Sequence, residues 1–327
     1  MIIVLFIIST TFDFMNGMRD ASNFVSMMIS THAIPFRWAL ILTAIAEFSG
    51  PFLIGTNVAV TFSSGLIDLG KIHMGMLMAA LISASIWNII TLILKIPSSS
   101  THALFGGILG AVFAGADLQA LHSAGMIKIL VGLMISPVLG FIVSYFVTKL
   151  VYILSFKATP SINNQFRKAQ VLTGITLAVS YGANDAQKSM GITSMALFIT
   201  GYLNHFYIPA WVMAVSAGAT ALGIGIGGWR LVGTLGRKFY KTRPVHGFTS
   251  QLSSVMVILT GAFLGAPIST SQAVTAAILG TGSAERRSMV RWNVAGQIVF
   301  SWLITIPVCA VLGNFIYDLL MMSHLVH

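Results

Sequence analysis

Charge is what this sequence has least of. Only 8% of its 327 residues are charged, and Asp and Glu together number eight, against 56% hydrophobic residues and a mean hydropathy of +0.88. A water-soluble chain of this length could not cover its surface with so few polar groups, which excludes a soluble enzyme or binding module. Cysteine is nearly missing too. The single Cys309 rules out an intrachain disulfide and leaves the redox compartment undetermined. The first dozen residues are apolar but lack a basic leader and a small-residue cleavage site, and they run straight into Asp13 and Asn16. They read as a first span, not a signal peptide. No stretch is hydrophilic enough to be a nucleotide-binding domain, which argues against an ATP-driven pump. GLIDLGKI from Gly65 imitates a phosphate-binding Walker loop, but Ile72 stands where Ser or Thr must reach magnesium.

What is present in abundance is apolar sequence. Stretches of about 18 residues or more, each able to cross a hydrocarbon layer of about 30 Å, recur from end to end. They divide into about ten hydrophobic segments, so the chain is expected to be an all-α membrane protein. The net charge of +10 does not point to nucleic acid, because the basic residues are scattered among short loops and form no soluble face. If residues 97–115 and 267–283 count as crossings, the loops near Arg37, Lys95, Lys149 to Lys168, Arg230 to Arg243 and Arg286 to Arg291 share one side and hold 14 of the 18 Lys and Arg residues. Asp68, Lys71, Asp117, Lys128 and Asp318 fall on the other. The positive-inside rule then makes the basic side cytoplasmic, with both termini outside a plasma (inner) membrane.

The chain also repeats itself. IPSSSTHALFGGILG from Ile96 is echoed by APISTSQAVTAAILG from Ala266 at an offset of 170, matching Pro97 with Pro267 and Gly110 with Gly280. NGMRDASN from Asn16 is echoed by YGANDAQK from Tyr181 at an offset of 165, matching Gly17 with Gly182 and Asp20 with Asp185. Residues 1–155 and 169–327 are therefore expected to be two transmembrane repeats, joined by a cytoplasmic linker at 156–168. Five segments per half is an odd number, so the second half must enter the membrane from the opposite face. Such inverted repeats are a common transporter architecture, with substrate held at midplane between the halves.

Each motif suits a chemistry. An Asp at the centre of a membrane helix costs about 3 kcal/mol on insertion scales, so Asp20 and Asp185 should be paired, bind a cation or line water. Gly17 and Gly182 suggest that each repeat opens with a broken helix. Freed carbonyls together with Asp20, Asn23, Asn184 and Asp185 form a hard-oxygen environment suited to Na⁺. Capping of half-helices by the same residues is a compatible alternative. PSSSTHA and PISTSQA each read as the start of the second arm of a helical hairpin. A helix start offers free N–H groups and about half a positive charge, which attracts oxyanions. Ser99, Ser100, Thr101, Ser269, Thr270 and Ser271 would add hydroxyl donors, unless these only bond the preceding turn.

SYGANDAQKSMG from Ser180, with IPSSSTHAL from Ile96, PISTSQAV from Pro267, the NGxxDxAN-like element at Asn16 to Asn23 and GGWR at Gly227 to Arg230, resembles the inorganic phosphate transporter (PiT) family of type III sodium-phosphate symporters. The likeness spans nearly the whole chain. It implies an inverted-repeat symporter, often a homodimer, that moves phosphate with Na⁺ or H⁺ by alternating access and needs no other cofactor. Some members instead take sulfate or metal-phosphate complexes. On this sequence Asp20, Asn23 and Asp185 would hold the coupling ion. The Ser and Thr residues after Pro97 and Pro267, with Asn184, Gln187, Arg19 and Lys188, would hold the anion.

Several residues keep alternative roles open. Lys188 replaces Asn23 of the first half and would either stand in for a second sodium or pair with Asp185. Arg19 would neutralise Asp20 or contact the anion. His102, matched by Gln272, is expected to be a hydrogen-bonded structural histidine rather than a proton relay. Glu47 is a possible proton carrier or pairs with a hydroxyl or Lys95, and Asp13 is expected to be hydrated near the outer face. The rival from another class is an intramembrane hydrolase built on Ser99 and His102, three residues apart on one helical face. A passive anion channel is a further rival.

Overall fold

The computed structural model describes residues 1–327 except 95, 117, 236–242, 287, 289 and 324–327, and no side chain is described at 118 or 229–235. Lys95, Asp117, the Arg230 side chain and residues 236–242 of the basic loops therefore lie outside the described residues. Among those described there are twelve α-helices and no strand. They are α1 (Ile2–Ser30), α2 (Phe36–Ile54), α3 (Asn57–Phe62), α4 (Met74–Leu94), α5 (Ser100–Gly115), α6 (Ser123–Leu154), α7 (Ile162–Gly182), α8 (Ala186–Ile199), α9 (Ala210–Leu235), α10 (Pro244–Phe263), α11 (Thr270–Glu285) and α12 (Trp292–Met322). Six of them, α1, α2, α4, α6, α9 and α12, are long and apolar enough to span a bilayer. This is a multi-pass membrane protein. The other expected segments are shorter or richer in Ser, Thr and Gly, and the first turns of α5 and α11 lie inside the protein.

The expected hairpins are present. Gly107 abuts Ala80 and Gly115 lies beside Met76, so α5 folds back antiparallel along α4. Their tip, Ser98 and Ser99, is buried, and so is the α10–α11 tip at Ile268 and Ser269. Each hairpin packs on the last long helix of the other half: α4 and α5 on α12, α10 and α11 on α6. The matched glycines make this possible. A Cβ on Gly110 would fall on the Ala310 carbonyl, and one on Gly280 would fall on the Phe141 carbonyl. With the side chain removed, backbones approach closely and dispersion replaces the hydrophobic drive that lipid cannot supply.

One expectation fails. The first helix is not broken: α1 runs unbroken for 29 residues through Gly17 and Asp20, whereas its counterpart is interrupted at Ala183–Asp185, between α7 and α8. The glycines serve contact in both halves, Gly17 against the Thr220 carbonyl and Gly182 against the Glu47 carbonyl. What differs is the residue that reaches the hairpin tip. In the first half Arg19, with a long side chain, donates to the Ser98 carbonyl at 2.7 Å from an intact helix. In the second half the matching Asn184 is short. It takes the Ile268 N–H at 3.3 Å and reaches the Ala266 carbonyl at 3.4 Å only because the backbone unwinds beneath it.

Gly110→Val should therefore lower the thermal stability of purified protein by about 1–3 kcal/mol, the usual range for overpacking. Gly225→Ala, with open space around it, should change nothing measurable. Equal melting behaviour of the two variants would remove the close-contact argument.

Candidate functional site

The two hairpin tips meet. Ser269 Oγ donates to Ser99 Oγ at 2.8 Å, and three residues further along, the Gln272 amide lies 3.3 Å from His102 Nδ1. All four side chains are buried. Both contacts join residues matched at the offset of 170. At the α5 start Ser99 is also an N-cap, accepting the His102 N–H at 3.3 Å. Pro97 and Pro267 disfavour helical backbone at the residue before each, which keeps the chain extended until the hydroxyl residues begin the next helix.

Around this junction stand two polar clusters built alike from opposite halves. In one, the Lys188 ammonium donates to Asp185 and to Thr101, and also to the Ile268 carbonyl at 3.3 Å, while Thr270 donates to the other Asp185 oxygen. In the other, Asn23 donates to Asp20 Oδ1 at 3.2 Å and reaches Ser271 Oγ at 3.4 Å, and Ser271 itself donates to Asp20 at 3.2 Å. The positions correspond, but the charge does not. Lys188 puts a fixed cation where Asn23 puts a neutral amide, so Asp185 has an ion-pair partner within its own cluster and Asp20 is bonded by neutral donors. Between its two roles expected from sequence, Lys188 takes the pairing with Asp185.

Other expected site residues fall elsewhere. Gln187 is buried but turned away from the junction: it accepts from the Val58 and Ala59 N–H groups at 3.0 Å and donates to the Gly55 and Ala183 carbonyls. It thus satisfies the start of α3, whose free N–H groups would otherwise be orphaned. Arg19 is committed to Asn88 and the Ser98 carbonyl. Ser100 is half-buried at the edge of the cluster. Glu47 is fully buried, and among the described residues neither carboxylate oxygen has a partner. The hydrolase geometry is absent: the His102 ring pairs with Gln272, and it is the His102 backbone that meets Ser99. An apolar groove of about 910 Å³ between α6 and α12 has only His102 and Gln272 of these residues in its wall.

The motifs that meet at this junction belong to one family pattern, whose model matches residues 16–313. The chain belongs to the phosphate transporter family. Among its relatives, a probable low-affinity inorganic phosphate transporter of Bacillus subtilis (strain 168) is 38% identical over 326 residues, covering 98% of this chain and 97% of that one. A protein of the same description from Rhizobium meliloti (strain 1021) is 37% identical over 319 residues, covering 97% and 96%. A solved structure described as the sodium-dependent phosphate transporter shares the fold, with a TM-score of 0.91 at 23% identity, covering 98% of this chain and 99% of that one. This family is one of transporters and not of enzymes.

Asn88 is the site-shaping residue that sequence reasoning missed. It is fully buried in α4, accepts from Arg19 and donates to Asn16 Oδ1 at 3.2 Å. A lone Asn inside the apolar run SIWNIITLIL was the available signal, because a polar side chain within a membrane helix needs a partner. The buried ion pair yields a direct test. Lys188→Met leaves Asp185 charged without its cation, and breaking a buried pair from one side costs about 3–5 kcal/mol. The double variant Lys188→Met with Asp185→Asn should recover much of that loss in thermal unfolding. A double variant no more stable than the single one would show that the pair is not what holds this site.

Proposed function

We propose that this protein carries inorganic phosphate across the membrane together with a cation, and that the anion is held between the starts of α5 and α11. The observation that carries this reading is the meeting of Ser99 and Ser269 beside one carboxyl group paired with Lys188 and another held by Asn23 and Ser271. Two helix starts turn their N–H ends and hydroxyls toward one point, which favours a tetrahedral oxyanion. Lys188 and Arg19 add positive charge next to it. Asp20, whose Oδ1 accepts from the Asn23 amide and the Ser271 hydroxyl, is the place for a monovalent cation in this reading, because a carboxylate and a hydroxyl are hard-oxygen ligands that suit Na⁺. Anion and cation then stabilise each other's binding in a low-dielectric interior.

Inverted repeats fit the same reading. Ser99 meets its own counterpart Ser269, His102 meets Gln272, and each hairpin packs on the other half's last helix, as a two-fold axis in the membrane plane requires. Alternating access would exchange the roles of the two halves. The distribution of Lys and Arg favours a cytoplasmic basic side and external termini in the plasma (inner) membrane. Phosphate is preferred over sulfate because HPO₄²⁻ can donate a hydrogen bond to the Asp20 carboxylate, which sulfate at neutral pH cannot.

Radiolabelled phosphate uptake into proteoliposomes tests each part. Ser99→Ala combined with Ser269→Ala should raise the apparent KM about tenfold or more, since a hydrogen bond to a charged group contributes about 1.5–3 kcal/mol. Replacing Na⁺ by choline at fixed pH should abolish uptake, and excess sulfate should compete weakly. Uptake that follows the phosphate gradient alone, indifferent to Na⁺ and pH, would make the protein a channel.

A further inference from the structure

We propose that Asp13 is a proton-binding site, a carboxyl group held neutral while the seam between α1, α8 and α9 is closed and free to exchange its proton when that seam opens. The sequence alone suggests a hydrated residue near the outer face. Instead Asp13 is 1% exposed. Its surroundings offer dipoles and no countercharge. Ser189 of α8 and Ser216 of α9 lie within hydrogen-bonding reach of the carboxyl group, while Oδ2 is buried without a partner. One turn earlier on α1, Ser9 bonds Thr193 of α8 at 2.9 Å, which closes the seam on that side.

Among the described residues no basic side chain bonds the Asp13 carboxyl group. Arg167 and Lys168 of α7 precede Gly174, which packs on Met28 at the far end of α1, and His246 of α10 pairs with Glu285 of α11. Arg19 and Asp20, further along α1, bond Asn88 and the Ser98 carbonyl, and Asn23 and Ser271. Lys188 of α8 is bound to Asp185 and Thr101. Residues 210–228 of α9 and all described residues of α4 carry no charge, and α2 brings only Arg37 and Glu47, of which Glu47 is another acid. A buried carboxylate without a counter-ion is among the costliest arrangements in a protein, and taking up a proton removes the cost. A metal cation suits the place less well, because hard cations take about six oxygen ligands and this seam offers one carboxyl group and two hydroxyls. The proton is thus the ligand that the geometry accommodates without added space.

The neutral acid does not depend on the phosphate reading, and two measurements keep the ideas apart. Infrared difference spectra of wild-type protein minus Asp13→Asn, in lipid nanodiscs at neutral pH, should show the C=O stretch of a protonated carboxyl group that the variant lacks and that shifts in D₂O. Loss of a carboxylate band pair, with no acid band lost, would overturn the proposal. Should Asp13→Asn fail to fold, Asp13→Glu serves: it should displace the same acid band, and an unmoved band would count against Asp13. The second measurement is phosphate uptake at fixed Na⁺ from mildly acidic to mildly alkaline outer pH, expressed as the ratio of wild type to Asp13→Asn, which cancels the titration of phosphate itself. A ratio that changes severalfold is expected, and a flat ratio would refute proton exchange on opening. If neither protein takes up phosphate, the transport reading fails while the infrared result still decides the fate of Asp13.

Discussion

Polar backbone at the two hairpin tips is the constraint on which this architecture rests. Within a bilayer, water cannot satisfy an exposed N–H or carbonyl group, so irregular chain at membrane depth survives only where protein groups complete its hydrogen bonds. Here those groups come from the first helices of each half. Arg19 takes the Ser98 carbonyl, and Asn184 takes the Ile268 N–H and the Ala266 carbonyl. The motif around Asp20 and the motif around Asp185 thus have a structural duty before any functional one: they hold the tips that carry the hydroxyl residues. Each of these motifs and the hairpin tip of its own half belong together, because the first completes the hydrogen bonds of the second.

The charges follow from that arrangement. Asp20 and Asp185 sit beside residues that already serve the tips, and each needs compensation in a medium where an isolated ion is expensive. The first half compensates with the neutral donors Asn23 and Ser271. The second half compensates with Lys188, a cation that cannot leave. Positions matched between the two halves are thereby made electrically unequal, with a fixed cation at one and a neutral amide at the other beside the two helix starts.

Much of this was legible in the sequence because it was written twice. The offset of 170 brought Ser99 into register with Ser269 and His102 with Gln272, and the contacts join those same pairs. Composition alone was sufficient for a helical membrane protein. The unbroken α1 was not legible, since Gly17 and Gly182 look alike in sequence and only the reach of Arg19 against that of Asn184 decides where the backbone must unwind. Gln187 looked like a ligand because it follows Asp185 closely, yet one turn of helix points it at the start of α3. The burial of Asp13 was hidden for a similar reason: its distance from the chain end is visible, while the packing of α8 and α9 over it is a product of the tertiary fold.

How the halves can move follows from the kinds of contact that join them. Gly110 lies against the Ala310 backbone and Gly280 against the Phe141 carbonyl and the small Ser144 side chain, and such close packing has few alternative arrangements. Each hairpin is therefore tied to the last helix of the opposite half, α4 and α5 to α12 and α10 and α11 to α6. Between the two tips the bonds are polar instead: a pair of serine hydroxyls, an amide against an imidazole, the Thr101 hydroxyl donating to the Ile268 carbonyl at 3.4 Å, and Lys188 bridging Thr101 and that same carbonyl. An oxyanion or water can replace such partners, whereas nothing replaces the close backbone packing within a hairpin unit. The polar junction in this structure is thus the one at which the proposed substrate would enter.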